Sequence, residues 1–582
     1  MKKTLLVLCA LAISCVAAHA AEDQVRVKAG DLYYNLSSTY MTASVTSEKW
    51  GQGYPEIEKV KIPKTVKYQG KTYTVTSIGE QAFRSSYNLV SVEMPNTVKY
   101  IGYQAFYKCE YLEKVTMSKA VEEIGYSAFD ECKSLREVKL PKELKIIKNS
   151  AFESCKSLTS VVIPSGAEVE KNAFRFCSAL ESLVLEEGVK KIKEEAFAFC
   201  TSLQSVTLPA SLNELGGNAF FSCDKLQQIN VAEASTYFSS EDGVLFNKSK
   251  TKLLFYPPMR SGEAYKVPAG VTVIGTGAFA KCKELPLIWL PQGLLSIEEK
   301  AFISCESLTY IALPEGLLTI DDRAFESCKG LRKATLPSSL TSLGKFTFAG
   351  CENLQVVEIP EHITVIDNGT FENCKKIAVL KLPENLLSVK RSAFYHCDRL
   401  SDIELPAGLR SIGEDAFCEC NSLSSVSIPA SVNTFGSGAY RGCANLRRFE
   451  VDPANEFLCA VDGVIYSRDT TTLVMYPAGR TSDTYRILPS VTTIAAEALA
   501  DAEYLTTLII PAGVNAIRDR AFGSYPKFSR IICYATTPPA IYQNTFTYYS
   551  RNMILSVPAE SLELYRQDPA WKQIPTIEPI EE

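Results

Sequence analysis

Cysteine recurs three residues after phenylalanine along most of this 582-residue chain, in AFYKC, AFDEC, AFESC, AFRFC, AFAFC and AFFSC, and again in AFAKC and AFISC. The position is held by Cys109, Cys132, Cys155, Cys177, Cys200 and Cys223 in a first run. A second run has Cys282, Cys305, Cys328, Cys351, Cys374, Cys397, Cys420 and Cys443. So many thiols could cross-link, bind metal or attack an electrophile. Disulfides are the first expectation for an exported chain. Equivalent side chains on stacked repeats, however, project in parallel with Cβ atoms about 4.8 Å apart. A disulfide needs about 3.8 Å and converging vectors. Ser86 and Ala502 hold the same position and cannot cross-link. The column reads as a structural ladder of buried free thiols filling a tight corner.

Other chemistry finds little support. No CxxC pair occurs, and cysteines a whole repeat apart lack the local spacing of zinc motifs. Cys418-Glu419-Cys420 is a lone CxC whose second cysteine already belongs to the ladder. The three histidines are His19, His362 and His396. His396 precedes Cys397, but a nucleophilic Cys–His pair needs facing side chains and an orienting third group, and neighbours in a repeat element point apart. Gly275-Thr276-Gly277 lacks the continuation of a phosphate-binding loop, and no EF-hand loop or G-x-S-x-G elbow is present. The expectation is no metal, no cofactor and no catalytic residue.

The elements that carry these residues repeat. The phenylalanine of the Ala-Phe pair falls at 83, 106, 129, 152, 174, 197 and 220, then from 279 to 417 in steps of 23, with Tyr440 next. In GYSAFDECKSLREVKLPKELKII, Leu135, Val138 and Leu140 mark a short strand that Pro141 ends. A second apolar pair follows, such as Leu317 and Ile320. A glycine often comes after the isoleucine, as at Gly102 and Gly413, where a turn of positive φ is expected. One such unit cannot bury its apolar face alone, so units stack on a shared core. The fold class is a β-rich repeat solenoid.

The motif AFxxCxxLxxVxIPxxxxxIGxx resembles the BspA-type leucine-rich repeat of bacterial surface proteins, and the likeness covers nearly the whole chain after residue 20. The resemblance implies a leucine-rich-repeat solenoid with a parallel strand face made by the LxxVxI segments. It also implies a secreted or cell-surface protein that binds macromolecules, host matrix components among them.

The expected domains are a signal peptide at 1–20, an N-terminal β-rich cap at 21–76 and repeat blocks at 77–231, 267–451 and 487–533. A C-terminal cap at 534–582 completes them, with a short helix starting between Leu562 and Tyr565. Caps are needed because solenoid ends expose core and strand edges. The repeat blocks are parted by insertions at 232–266 and 452–486. EDGVLFNKSKTKLLFYPP and VDGVIYSRDTTTLVMYPA lie 220 residues apart, and each is expected to form a β-hairpin. Protruding hairpins are either binding loops or structural flaps; duplication of one segment explains the offset and favours the flap.

In LxxVxI the x positions face outward. Most are polar, as in Arg136, Glu137 and Lys139. The rungs LPLIWLP and LTYIALP differ, offering Leu287, Trp289, Tyr310 and Ala312 as a candidate patch for protein or glycan contact. The alternative is that the first hairpin folds back over them.

Lys2 and Lys3, an apolar run and Ala18-His19-Ala20 fit a cleaved secretory leader. Lipoprotein processing at Cys15 is the alternative, which Ala12 matches poorly. No later stretch is apolar for the 18 residues a spanning helix needs. The net charge of −5, with acids and bases scattered, gives no footprint for nucleic acid. The functional expectation is an exported, non-enzymatic adhesion or binding protein. The alternatives are a glycan-capturing accessory protein and an unrecognised hydrolase. Oligomeric state is not legible.

Overall fold

The unit of architecture is a rung of two short strands joined through a tightly turned corner. In the rung around Phe129, the strand Glu123–Ile124 comes from the second apolar pair and the strand Glu137–Val138 from LxxVxL. The corner is the Ala-Phe-x-x-Cys segment. There Ala128 N–H donates to the Gly125 carbonyl at 3.2 Å and Cys132 N–H to the Phe129 carbonyl at 3.1 Å, forming two consecutive turns. Each rung is also hydrogen-bonded to the next at this corner, Phe129 N–H donating to the Ala151 carbonyl at 2.7 Å. Backbone groups that a turn would leave open are thereby satisfied by stacking.

The computed structural model describes residues 24–260, 262–502, 504–523, 528–542, 544–545 and 551–581. They divide into two units, 24–260 with 276–281, and 262–275 with 282–581. In the first unit the LxxVxI strands from Lys59–Lys61 to Ser182–Leu185 form one parallel sheet of six. A second sheet collects the other strand of each rung. The core between them contains Phe83, Phe106, Phe129, Phe152, Phe174 and Phe197, all fully buried, with consecutive ring centroids 4.9–5.3 Å apart and planes within 6°. In the second unit Phe302, Phe325, Phe348, Phe371, Phe394, Phe417 and Tyr440 stack in the same way. The rung spacing of about 4.8 Å imposes this parallel stack on side chains that repeat in register.

One local expectation is overturned. Gly102 and Gly413 do not have positive φ; that conformation falls on non-glycine corner residues such as Gln104 at 50° and Lys108 at 58°. The glycines instead permit close approach. A Cβ on Gly102 would lie 2.9 Å from the Glu80 nitrogen, and one on Gly413 would lie 2.6 Å from the Arg391 nitrogen. The left-handed corner residues each cost on the order of 1 kcal/mol, which the inter-rung hydrogen bonds and buried rings outweigh.

Both ends of the array are covered. At the start, Gln24–Ala29, Leu32–Ser37 and Thr42–Thr46 run as an antiparallel meander. Thr65–Tyr68 and Lys71–Ile78 form a hairpin whose turn residues Gln69 and Gly70 both have positive φ. Tyr54 lies against Phe83 with ring centroids 5.0 Å apart. At the end, the helix Leu562–Gln567 packs Tyr565 against buried Trp571, whose Nε1 donates to the Pro539 carbonyl at 2.9 Å. Among the described residues no helix is long and apolar enough to cross a membrane. The leader and the Cys15 alternative lie outside the described residues.

The insertions contain the expected hairpins, Val244–Asn247 with Lys252–Phe255 and Val464–Ser467 with Thr472–Met475. Each gains a third antiparallel strand, Phe238–Glu241 and Leu458–Val461. The bases are closed alike: Arg260 Nε donates to the Asp242 carbonyl at 3.0 Å, and Arg480 Nη1 donates to the Asp462 carbonyl.

Candidate ligand-binding strand face

The strand Leu287–Trp289 turns Ile288 inward and leaves Leu287 and Trp289 outward; the strand Tyr310–Ala312 does the same with Ile311 buried. Leu287 pairs in register with Tyr310. Trp289 is 49% exposed and Tyr310 46% exposed. Ala312 is exposed and Leu287 half-buried. The outward column continues through Lys333 to Val356, which is 44% exposed, and the next rung presents Val379 at 70%. A parallel sheet buried on its inner side thus holds apolar and aromatic side chains outward on a stiff backbone.

Beside this column lies a depression of about 530 Å³ that the sequence reading missed. Its lining comes from Glu306, Ser307, Thr309, Gly330, Arg332, Asn353, Gln355 and Lys376. Thr309, Arg332 and Gln355 are the residues directly preceding Tyr310, Lys333 and Val356, and their backbones step along the array, Arg332 N–H donating to the Thr309 carbonyl at 3.1 Å and Gln355 N–H to the Arg332 carbonyl at 2.9 Å. Gly330 sits where the neighbouring rungs carry Ser307 and Asn353. A Cβ there would come within 2.4 Å of the Glu306 carbonyl oxygen. The glycine lets this rung lie close against the backbone of the one before it; the signal that could have revealed the depression is the polar column Thr309, Arg332 and Gln355 at one repeat position. Lys376 Nζ donates to Asn353 Oδ1 at 2.6 Å, and Lys283 pairs with Glu306 at 3.1 Å. The Arg332 guanidinium makes no ion pair among the described residues.

The cysteine ladder faces the interior. The fourteen ladder cysteines are buried free thiols. Most donate to the carbonyl of the phenylalanine one rung back, from Cys109 to Phe83 at 2.9 Å through Cys155 to Phe129 at 3.2 Å to Cys443 to Phe417 at 3.1 Å. Burial pushes the Cys109 and Cys443 thiols up to about 12, with the others raised as well wherever a shift is resolved. Such groups are neither nucleophiles nor ready metal ligands. His396 and Cys397 are not brought together. Cys397 donates inward to the Phe371 carbonyl at 3.3 Å, while His396 Nδ1 lies 3.3 Å from Asp398 Oδ1 on the partly exposed side. His362 Nε2 is hydrogen-bonded to the Leu340 carbonyl. Cys418 and Cys420 are both buried. Among the described residues no cluster of metal-ligating side chains forms.

The family model for the BspA type leucine rich repeat region matches residues 54–179, 167–259, 251–378, 342–458 and 481–566. The chain belongs to the BspA-type leucine-rich-repeat family. Among solved structures, this BspA-type chain is similar to a leucine rich cell surface protein from Faecalibacterium prausnitzii A2-165, at 27% identity over 74% of this chain and 96% of that one, with a TM-score of 0.45. It is also similar to the pneumococcal vaccine antigen PcpA, at 23% identity over 68% and 94% of the two chains and a TM-score of 0.49. A leucine-rich repeat protein from Bacteroides ovatus is 24% identical over 74% and 95%, with a TM-score of 0.41. No curated protein matches.

Proposed function

We propose that this BspA-type chain is an exported or cell-surface protein that binds a macromolecular ligand, without catalysis, through the outward strand face of its second unit. The observation that carries the reading is the pair Trp289 and Tyr310, each about half exposed on adjacent strands of a stiff sheet. Aromatic side chains in that setting supply large contact area at little entropic cost. Family membership supports a binding role, since its members typically bind rather than catalyse. Attachment to the surface, whether through the leader alone or through lipid at Cys15, belongs to the same proposal.

The test is binding of residues 21–582 to immobilised matrix proteins and polysaccharides, beside the Trp289→Ala/Tyr310→Ala variant. The expected result is a ligand whose binding the double variant reduces by about tenfold or more. Binding that the double variant leaves unchanged moves the site elsewhere.

A further inference from the structure

We propose that the ligand of this strand face is a glycan, held with a pyranose ring against Tyr310 and Trp289 and its hydroxyl groups in the adjoining depression. The inference rests on the strand-face reading above and names the ligand class. Two features meet at one residue pair. Tyr310 offers an aromatic surface, and Thr309, the residue before it, lines the depression of about 530 Å³. No aromatic or wholly aliphatic side chain is among the lining residues. A protein partner anchors through apolar or aromatic side chains seated in desolvated pockets, which this depression does not provide. A sugar has the complementary chemistry: a C–H face that covers an aromatic ring, and hydroxyls that both donate and accept.

The lining supplies both roles. Arg332 presents five N–H donors, Gln355 and Asn353 present amide donors and acceptors, Ser307 and Thr309 present hydroxyls, and Glu306 accepts. The Arg332 and Gln355 side chains make no hydrogen bond or ion pair with the described residues, so their capacity is open to a ligand. Asn353 is held in place, its Nδ2 donating to the Lys329 carbonyl at 2.7 Å and its Oδ1 accepting from Lys376 at 2.6 Å. Gly330, which shares the lining with Ser307 and Asn353, lets its rung lie close against the Glu306–Leu308 backbone. The polar groups of Thr309, Arg332 and Gln355 step along rungs about 4.8 Å apart beside the aromatic surface, an arrangement suited to a chain of sugars.

The test uses residues 21–582 and immobilised galactomannan, mixed-linkage β-glucan, arabinoxylan and polygalacturonate, with a matrix-protein panel in parallel. Trp289→Ala, Tyr310→Ala and Arg332→Ala/Gln355→Ala alter exposed side chains; Tyr111→Ala, exposed in the other unit, is the control. The expected result is retention of at least one polysaccharide, with affinity lowered about tenfold by either aromatic variant and by the Arg332/Gln355 pair, and unchanged by the control. Preference for polygalacturonate, lost with Arg332→Ala and weakened by salt, assigns a carboxylate to Arg332; preference for a neutral polymer assigns hydroxyls. Both outcomes support a glycan. If no polysaccharide binds but a matrix protein does, with loss in Trp289→Ala, the glycan inference is overturned and the strand-face reading stands. If no binding depends on Trp289 or Tyr310, both fall.

Discussion

The thiol of Cys155 donates to the carbonyl oxygen of Phe129 at 3.2 Å, tying each corner turn to the ring-bearing residue of the rung before it. The same carbonyl also accepts from Cys132 N–H within its own turn. Cysteine is suited to the position because sulfur fills apolar volume while its S–H supplies a second, weaker bond. Cys155→Ala should cost about 1–2 kcal/mol of stability, the sum of a small cavity and a lost donor. Cys155→Ser retains a donor and should cost less. Urea midpoints check this; alanine tolerated as well as serine would deny the thiol any bonding role.

Burial and a raised pKa make the ladder unreactive while folded. Cys459 is the one free cysteine among the described residues that is not fully buried. Titration of the native protein with an aromatic disulfide should therefore label Cys459 alone within minutes. Denatured and without reductant, residues 21–582 should release 17 thiols. A denatured count near zero would mean that neighbouring rungs are cross-linked after all.

Asp130 sits at a corner of the first unit beside Glu153 and Glu131. Burial and then Glu153 push its pKa up to about 7, against the opposing hydrogen bond from Ser127. Arg175 faces Glu153, while Lys108 and Lys133 face Glu131, so the nearby cations are already engaged. In the unfolded chain this carboxyl ionises at about 3.9. Between about pH 4 and pH 7 the folded state binds the extra proton, so this group's contribution to stability falls as pH rises through that window. Asp130→Asn should flatten the dependence and raise stability at pH 8 by about 1 kcal/mol at most, partial solvation screening the rest. Melting temperatures at pH 5 and pH 8 decide it; parallel profiles for variant and parent would contradict the assignment.

The periodicity of Leu135, Val138 and Leu140, repeated with Phe129, was enough to read the solenoid, because core residues in register must coincide when rungs stack. The role of Gly102 was not legible, since close approach of two rungs is a property of their spacing rather than of either segment. Phe238–Glu241 escaped notice because FSSE has a single large apolar residue and no alternation. Trp289 and Tyr310 were found as aromatic exceptions on a strand face whose outward positions are mostly polar in sequence. Arg332 and Gln355 were not, because both look like ordinary surface residues until stacking of their rungs brings them onto one depression.

The most direct measurement of the central claim is hydrogen–deuterium exchange of residues 21–582 with and without a polysaccharide or matrix protein captured in the binding panels. The strand-face account predicts slowed exchange in peptides covering 287–289 and 310–312, extending to 332–335. Protection confined to the insertions at 232–266 and 452–486, with those strands unchanged, would contradict it.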